Sequence, residues 1–317
     1  MANSLAIVLE QPERLTLRSL PLDEPAAGDV VVETEFSGIS TGTERLFYTG
    51  RMPSFPGMGY PLVPGYETVG RVIEAGPEAG IAPGTHVFVP GARCYGPVHG
   101  LHGGASSRLV SPASRVVPVA PAWGEKAVLI ALAATALHAV KSASEPVGAP
   151  GASVLIVGHG VLGRLLARLV TLAGASPAVW ETSPARRDGA LGYEVIAPED
   201  DRRRDYGTIF DVSGDSAALD SLIARLRPGG EIVLAGFYDR LSFAFPPAFL
   251  REARFRIAAQ WADGDLREVV DLVDGGRLSL DGLITHRRAS SDAATAYPEA
   301  FADPDCLKMV LDWRRPA

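Results

Sequence analysis

Cysteine is nearly absent: the 317-residue chain has two, Cys94 and Cys306. Two thiols support neither a disulfide framework nor, by themselves, a metal cluster. Basic charge is short as well, with 30 Lys and Arg against 37 Asp and Glu, a formal net charge of -7. A general nucleic-acid surface needs a basic face to meet phosphate, so no nucleic-acid partner is expected. No apolar run reaches the ~18 to 20 residues of a membrane-spanning helix, so no integral span is expected; peripheral contact with a membrane stays open. The opening MANSLAIVLEQPERL lacks a basic segment followed by a long apolar one. No signal peptide is therefore expected, and the cytoplasm is the default location. What is present suits a folded protein: 47% hydrophobic and 21% charged residues argue against disorder. The length is natural for two domains.

The first 120 or so positions read as β-rich. LAIVLE, LTLRSL, DVVVETEFSGI, TVGRVIEAG, THVFVP and RVVPV are short runs separated by Pro and Gly turns. Among them GRMPSFPGMGYPLVPGYE (50–67) is too dense in Pro and Gly for a regular helix or central strand. The texture then changes. EKAVLIALAATALHAVKSA (125–143) has helical periodicity. From 152 strands alternate with helices expected over 161–173, near 184–191 and near 216–227, the mark of βαβ units and a parallel sheet. After about 270, LSLDGLITHRR, a helix and KMVLDW return to a mixed pattern.

The strongest local signal is VLIVGHGVLGRLLARL, a buried strand leading through Gly158-x-Gly160-x-x-Gly163 into a helix. Gly158 permits the tight turn, Gly160 lets backbone approach a pyrophosphate, and Gly163 lets helix pack on strand. The helix N-terminus, with Val161 and Leu162, offers free N–H groups and partial positive charge to the phosphates. The next strand ends at Glu181, about the ~20 residues downstream where an acid grips ribose hydroxyls and repels a 2′-phosphate. NAD is the expected cofactor. Arg186 and Arg187 can flank the adenine or instead hold a 2′-phosphate. Ser213 and Gly236, closing TIFDVSG and EIVLAGF, complete the expected cofactor set together with Thr135 on the apolar helix; His138 is expected in ordinary packing.

LVPGYETVGRVIEAG (62–76), GGASSRLVSPASRVVPV (103–119), AATALHAV (133–140), LRPGGEIVLAGF (226–237) and LITHRR (283–288) occur in the order of one known family. The chain resembles the medium-chain dehydrogenase/reductase superfamily. The resemblance implies an α/β fold: a Rossmann domain with a doubly wound parallel sheet over 123–270, and a β-rich GroES-like catalytic domain over 1–122, completed by 271–317. It also implies an NAD-dependent alcohol dehydrogenase and a homodimer. The family carries catalytic and structural zinc, and this chain departs from both patterns. In SGISTGTE, Ser40 or Thr41 stands for the ligand cysteine; in PGYE, Tyr66 replaces the ligand histidine and leaves Glu67. A hydroxyl is a poor substitute for thiolate or imidazole at zinc. The structural lobe would need four cysteines and has Cys94. No metal is expected, and His86, His99 and His102 are expected as ordinary loop or surface residues rather than rescue ligands.

The closer resemblance, over 39–72, is to the branch of the family that serves bacteriochlorophyll biosynthesis. It implies a tetrapyrrole substrate, a bacteriochlorophyllide whose C3 hydroxyethyl group is oxidised to acetyl. Without zinc, a hydrogen-bonding group must take the proton. The resemblance places Tyr66 toward the nicotinamide and gives Thr43 the family's proton-relay position, with Ser40, Thr41 and Glu67 as neighbours able to share the task. Tyr66 handles the proton or simply packs into the emptied metal site; both readings stand here. Met52, Phe55, Met58 and Tyr60 offer aromatic and thioether surface to a macrocycle, and Arg45 and Arg51 can meet its propionate. Equally, the apolar four can pack the loop onto its own domain. Three alternatives remain: a zinc-free quinone or enone reductase or general alcohol dehydrogenase on the same fold, a redox-sensing or pigment-carrying protein, and a zinc enzyme with unusual ligands.

Overall fold

The computed structural model describes residues 2–100 and 102–314. The chain divides into two compact units, residues 1–131 with 281–317, and residues 132–280. The boundaries expected at 122/123 and 270/271 lie earlier in the chain at both junctions.

The first unit opens with β1 (Asn3–Gln11), β2 (Arg14–Pro21) and β3 (Asp29–Ile39), then a short helix α1 (Thr43–Tyr48). Next come β4 (Thr68–Ala75), β5 (His86–Val89), β6 (Arg108–Pro112) and β7 (Val117–Pro118). Between α1 and β4 the Pro/Gly-dense loop forms no regular element, as its sequence demands. A 3-10 stretch (Pro121–Leu129) runs into α2 (Ile130–Ser142). The second unit continues with β8 (Val154–Val157), α3 (Val161–Leu172), β9 (Ala178–Trp180), β10 (Glu194–Ile196), β11 (Tyr206–Asp211), α4 (Leu219–Ile223), β12 (Leu226–Leu234), α5 (Phe245–Leu250), β13 (Arg254–Ile257) and α6 (Asp265–Asp274). β14 (His286–Ala289), α7 (Ala293–Ala302) and β15 (Met309–Asp312) return to the first unit.

In the first unit β14-β15-β3-β4-β5-β7 form one sheet, β6 also pairs with β3, and β1 pairs with β2. The core of this unit draws on Val30, Val32, Val72, Val87, Val89 and Leu109, and β3 and β5 are buried on both faces over 30–32 and 87–89. Strand β15 runs antiparallel to the end of β3, with Met309 opposite Ile39. That pairing brings the last strand of the chain beside the first residues of the candidate site.

In the second unit six strands lie in the order β10-β9-β8-β11-β12-β13, every pair parallel. Strand β8 is buried at all four positions, as a continuous apolar run in a parallel sheet should be. The helix expected near 184–191 is a single 3-10 turn, Pro184–Arg186. Gly189 and Gly192, at φ 83° and 80°, take the chain out of helical geometry immediately after it. Against the expectation that no apolar run is long enough, Pro121–Ser142, 22 residues, has by length and composition what a membrane-crossing helix needs. It is built as a core helix. Ala127, Leu129, Ile130, Ala133, Ala136 and Leu137 are buried, and Gly124 breaks its first turn with non-helical backbone.

Candidate active site

Two groups of side chains carry chemistry, one in each unit. In the first, Ser40 ends β3's extension, Thr43 and Glu44 open α1, and Tyr66 and Glu67 lead into β4. The Ser40 hydroxyl and the Tyr66 phenol share a hydrogen bond of 2.8 Å. Burial pushes the Tyr66 phenol up, the charge of Glu67 adds to that, and the hydroxyls of Ser40 and Thr43 partly offset it. Tyr66 is therefore a protonated hydrogen-bonding group at neutral pH rather than a standing phenolate. Thr41 is exposed and outside this hydroxyl set.

Glu67 has a different partner. Its carboxylate is fully buried and accepts from the Lys308 ammonium at 2.9 and 2.7 Å, while the same ammonium donates to the Ile39 carbonyl at 3.1 Å. Burial pushes the Glu67 carboxyl up and the Lys308 charge opposes it. The strands close tightly here: a Cβ on Gly38 would stand 2.2 Å from a Glu67 oxygen, so only glycine fits. Glu67 was grouped with the proton-handling residues; the geometry shows its carboxylate committed on both oxygens. Beside it Glu44, also buried, accepts from the Ser40 backbone N–H at 3.2 Å. Burial, and then the charge of Glu67, push its carboxyl up to about 8.

Of the loop residues, Met52 joins a core of Leu9, Phe47 and Leu62, against which Met58 and Tyr60 pack, and the Tyr60 hydroxyl donates to the Phe47 carbonyl at 2.6 Å. Phe55 is exposed and tilted against Phe47, with ring centroids 6.5 Å apart. Arg45 and Arg51 are exposed.

In the second unit the glycine turn is shaped for a phosphate. Gly158 has φ 105°, and a Cβ on Gly163 would stand 1.8 Å from the Gly158 carbonyl oxygen, so helix α3 packs directly on the turn. Nothing lies within 4 Å of a Cβ placed on Gly160, at the N-cap of α3, where Val161 and Leu162 form the first turn. The ends of β8, β11 and β12 converge on this turn: Gly158 lies against Ser213, and Gly236 against Gly214. The Ser213 hydroxyl donates to Asp211 at 2.7 Å. Glu181 is buried just past β9 and accepts from the backbone N–H groups of His159 at 3.1 Å and Ser183 at 2.8 Å. Arg187 is turned back onto the Glu181 and Thr182 carbonyls. The Arg186 carbonyl accepts from the His159 ring and from Arg164. Thr135 and His138 are half-buried on α2, and His138 stands 3.5 Å from the Asp265 carboxylate.

Residues 26–121 match the alcohol dehydrogenase GroES-like domain. The chain is 56% identical over 98% of its length, and 99% of its relative's, to the 2-desacetyl-2-hydroxyethyl bacteriochlorophyllide A dehydrogenase of Cereibacter sphaeroides. It is 55% identical, over 97% and 98%, to that of Rhodobacter capsulatus. The chain belongs to the medium-chain dehydrogenase/reductase superfamily. Among solved structures, an alcohol dehydrogenase from Escherichia coli CFT073 complexed with NADH superposes with a TM-score of 0.82 at 21% identity, covering 98% of this chain and 100% of the other. The expected fold class, a Rossmann parallel sheet with a GroES-like domain, holds. This member of the superfamily is an oxidoreductase acting on CH–OH groups.

Zinc is the metal that this superfamily implies, and the donors here do not fit it. Ser40 and Tyr66 are neutral hydroxyls bonded to each other, and Glu67 is neutralised by Lys308. Among the described residues one other trio of suitable type, His286, Glu299 and Asp303, comes together. Its members are engaged: His286 with Asp303 at 3.2 Å, and Glu299 with Arg288 at 3.0 Å. The dinucleotide cradle, in contrast, fits its ligand, with an open helix N-terminus and an acid at the end of β9.

Sequence reasoning missed Lys308 and the buried Glu44. A lysine inside CLKMVL, an otherwise apolar run, was the available signal for a buried counter-ion.

Proposed function

We propose that this dehydrogenase oxidises the C3 1-hydroxyethyl group of a bacteriochlorophyllide to acetyl, with NAD as oxidant and without zinc. The single observation that carries the zinc-free chemistry is the Ser40–Tyr66 hydroxyl pair standing where the superfamily holds metal. The substrate follows from the two relatives of more than half identity and nearly full coverage, both named for that pigment.

A secondary alcohol must lose a proton from oxygen and a hydride from carbon. Bound NAD supplies the hydride acceptor. Gly158, Gly160, Val161, Leu162 and Gly163 hold its pyrophosphate, and Glu181 its adenosine ribose. Ser213, Gly236, Thr135 and Arg186 border the same ligand. Glu181 also favours NAD over NADP, since a 2′-phosphate would meet a buried carboxylate, and Arg187 is already spent on backbone carbonyls. Tyr66 binds the carbinol oxygen and passes its proton to the linked hydroxyls of Ser40 and Thr43, which release it to water. Because the phenol is pushed up, the proton moves along the hydroxyls without resting on a phenolate. The carbonyl product is conjugated with the macrocycle, which lowers the barrier that zinc would otherwise lower. Phe55, Arg45 and Arg51 meet the macrocycle and its propionate from the surface of the loop, and Met52, Met58 and Tyr60 shape that loop from beneath.

The enzyme acts as a homodimer in this reading. Strand β13 is one of the two edges of the parallel sheet, and Phe255 and Ile257 on it are exposed. An edge strand of this kind pairs readily with its own copy about a two-fold axis. The test of the activity is to incubate purified protein with NAD and the hydroxyethyl pigment. A product lighter by two hydrogens, formed one for one with NADH, supports it; unchanged pigment rejects it.

A further inference from the structure

His102 is unused by the chemistry above, yet it sits beside it. Its ring centroid lies 5.1 Å from that of Tyr66 and 6.3 Å from that of Phe47. The backbone holds it there deliberately. His102 has φ 70° and Gly103 φ 62°, two successive left-handed residues. The His102 carbonyl is gripped by the Ala92 N–H, and a Cβ on Gly91 would stand 2.0 Å from that carbonyl oxygen. A left-handed conformation is uncommon outside glycine, and such positions concentrate at ligand sites. The residue is half-buried, and among the described residues no hydrogen bond reaches its ring nitrogens.

We propose that His102 is the axial ligand to the central magnesium of the pigment substrate. The inference rests on the substrate reading above and deepens it. In a magnesium chlorin the four pyrrole nitrogens fill the metal's plane, so only an axial position stays open to protein. A neutral imidazole is the common protein ligand to a macrocycle-bound metal. Burial, with the charges of Arg93 and Arg115, pushes the His102 pKa down to about 4. The ring is thus neutral at physiological pH, with a lone pair available and little appetite for a proton. The reacting carbinol is one substituent out from the rim and the metal is at the centre, several ångströms apart, so the two groups that meet them must be neighbours, as the Tyr66 and His102 rings are, with centroids 5.1 Å apart. One side chain then anchors the centre of the ring while the other meets the alcohol at its edge. Phe55, exposed on the loop, supplies apolar surface alongside, and Phe47 backs it from the core.

The test compares the magnesium pigment with its demetallated form, each titrated against wild-type protein, H102G and H102N. Both replacements tolerate left-handed backbone, and circular dichroism with an unchanged melting midpoint reports that the variants are folded. Wild type should bind the magnesium form tighter by on the order of tenfold. Both variants should lose that preference while holding the demetallated pigment as before, and free imidazole should restore it to H102G. Equal binding of the two pigments by wild type, or a preference kept by the variants, overturns the assignment and leaves the substrate reading standing. Failure of wild type to bind either pigment removes both.

Discussion

Lys308 places its ammonium 2.7 and 2.9 Å from the two carboxylate oxygens of Glu67, 241 positions earlier in the chain. Both side chains are buried, so the final strand is pinned to the start of β4 by charge as well as by its pairing with β3. Removing one partner strands the other charge away from water. K308M should destabilise the enzyme by about 3–5 kcal/mol, and E67L/K308M should recover most of the loss. Guanidinium unfolding of the two variants measures this; a mild effect of K308M would mean that the pair carries little.

The hydroxyl pair makes a kinetic prediction. Y66F keeps the ring and removes the hydroxyl bonded to Ser40. Turnover should fall by about 10²-fold or more while the Kd for NAD stays unchanged. Single-turnover kinetics with the pigment decide it; undiminished turnover would return Tyr66 to the role of packing residue.

Glu44 gives a pH dependence with a definite sign. Its carboxyl is raised from 4.5 to about 8, so between those values the folded protein holds a proton that the unfolded chain has released. Stability should therefore fall as pH rises from about 4.5 to about 8, and E44Q should flatten that slope. Denaturation midpoints across this window test it, and a slope unaltered by E44Q would assign the dependence to other groups.

The proposed role of Glu181 predicts a shift in cofactor preference. E181S removes the carboxylate that accepts from the glycine turn and would repel a 2′-phosphate. The ratio of kcat/KM for NAD to that for NADP should drop by roughly 10²-fold. A ratio that does not move would place discrimination elsewhere in the loop.

The free edge of β13 predicts the assembly state. Ile257 is 77% exposed, so its side chain buries little within a lone subunit. I257K should convert a dimer into folded monomers in sedimentation; a dimer that survives the change pairs through another face.

Much of this architecture was legible in the residues. The glycine turn, the strand before it and the acid after β9 follow from local spacing, because a phosphate cradle is built from neighbours in sequence. The departure from the zinc-ligand motifs is legible for the same reason: Ser40 and Tyr66 stand in recognisable short motifs. What local reading missed depends on distant partners. Glu67 looked available for proton transfer because nothing nearby announces Lys308. For Met52 the residues leave two readings open, substrate surface or packing of the loop onto its own domain, because tertiary packing decides which way a loop side chain faces, here against Leu9 and Leu62. The helix expected near 184–191 failed because Gly189 and Gly192 adopt left-handed backbone.

The most direct test of the account is turnover by metal-free enzyme. Protein dialysed against a strong chelator, and shown by elemental analysis to lack transition metal, is mixed with NAD and hydroxyethyl-bacteriochlorophyllide. The account predicts full activity, one acetyl pigment formed for each NADH. Activity that disappears on chelation and returns with added zinc would contradict it.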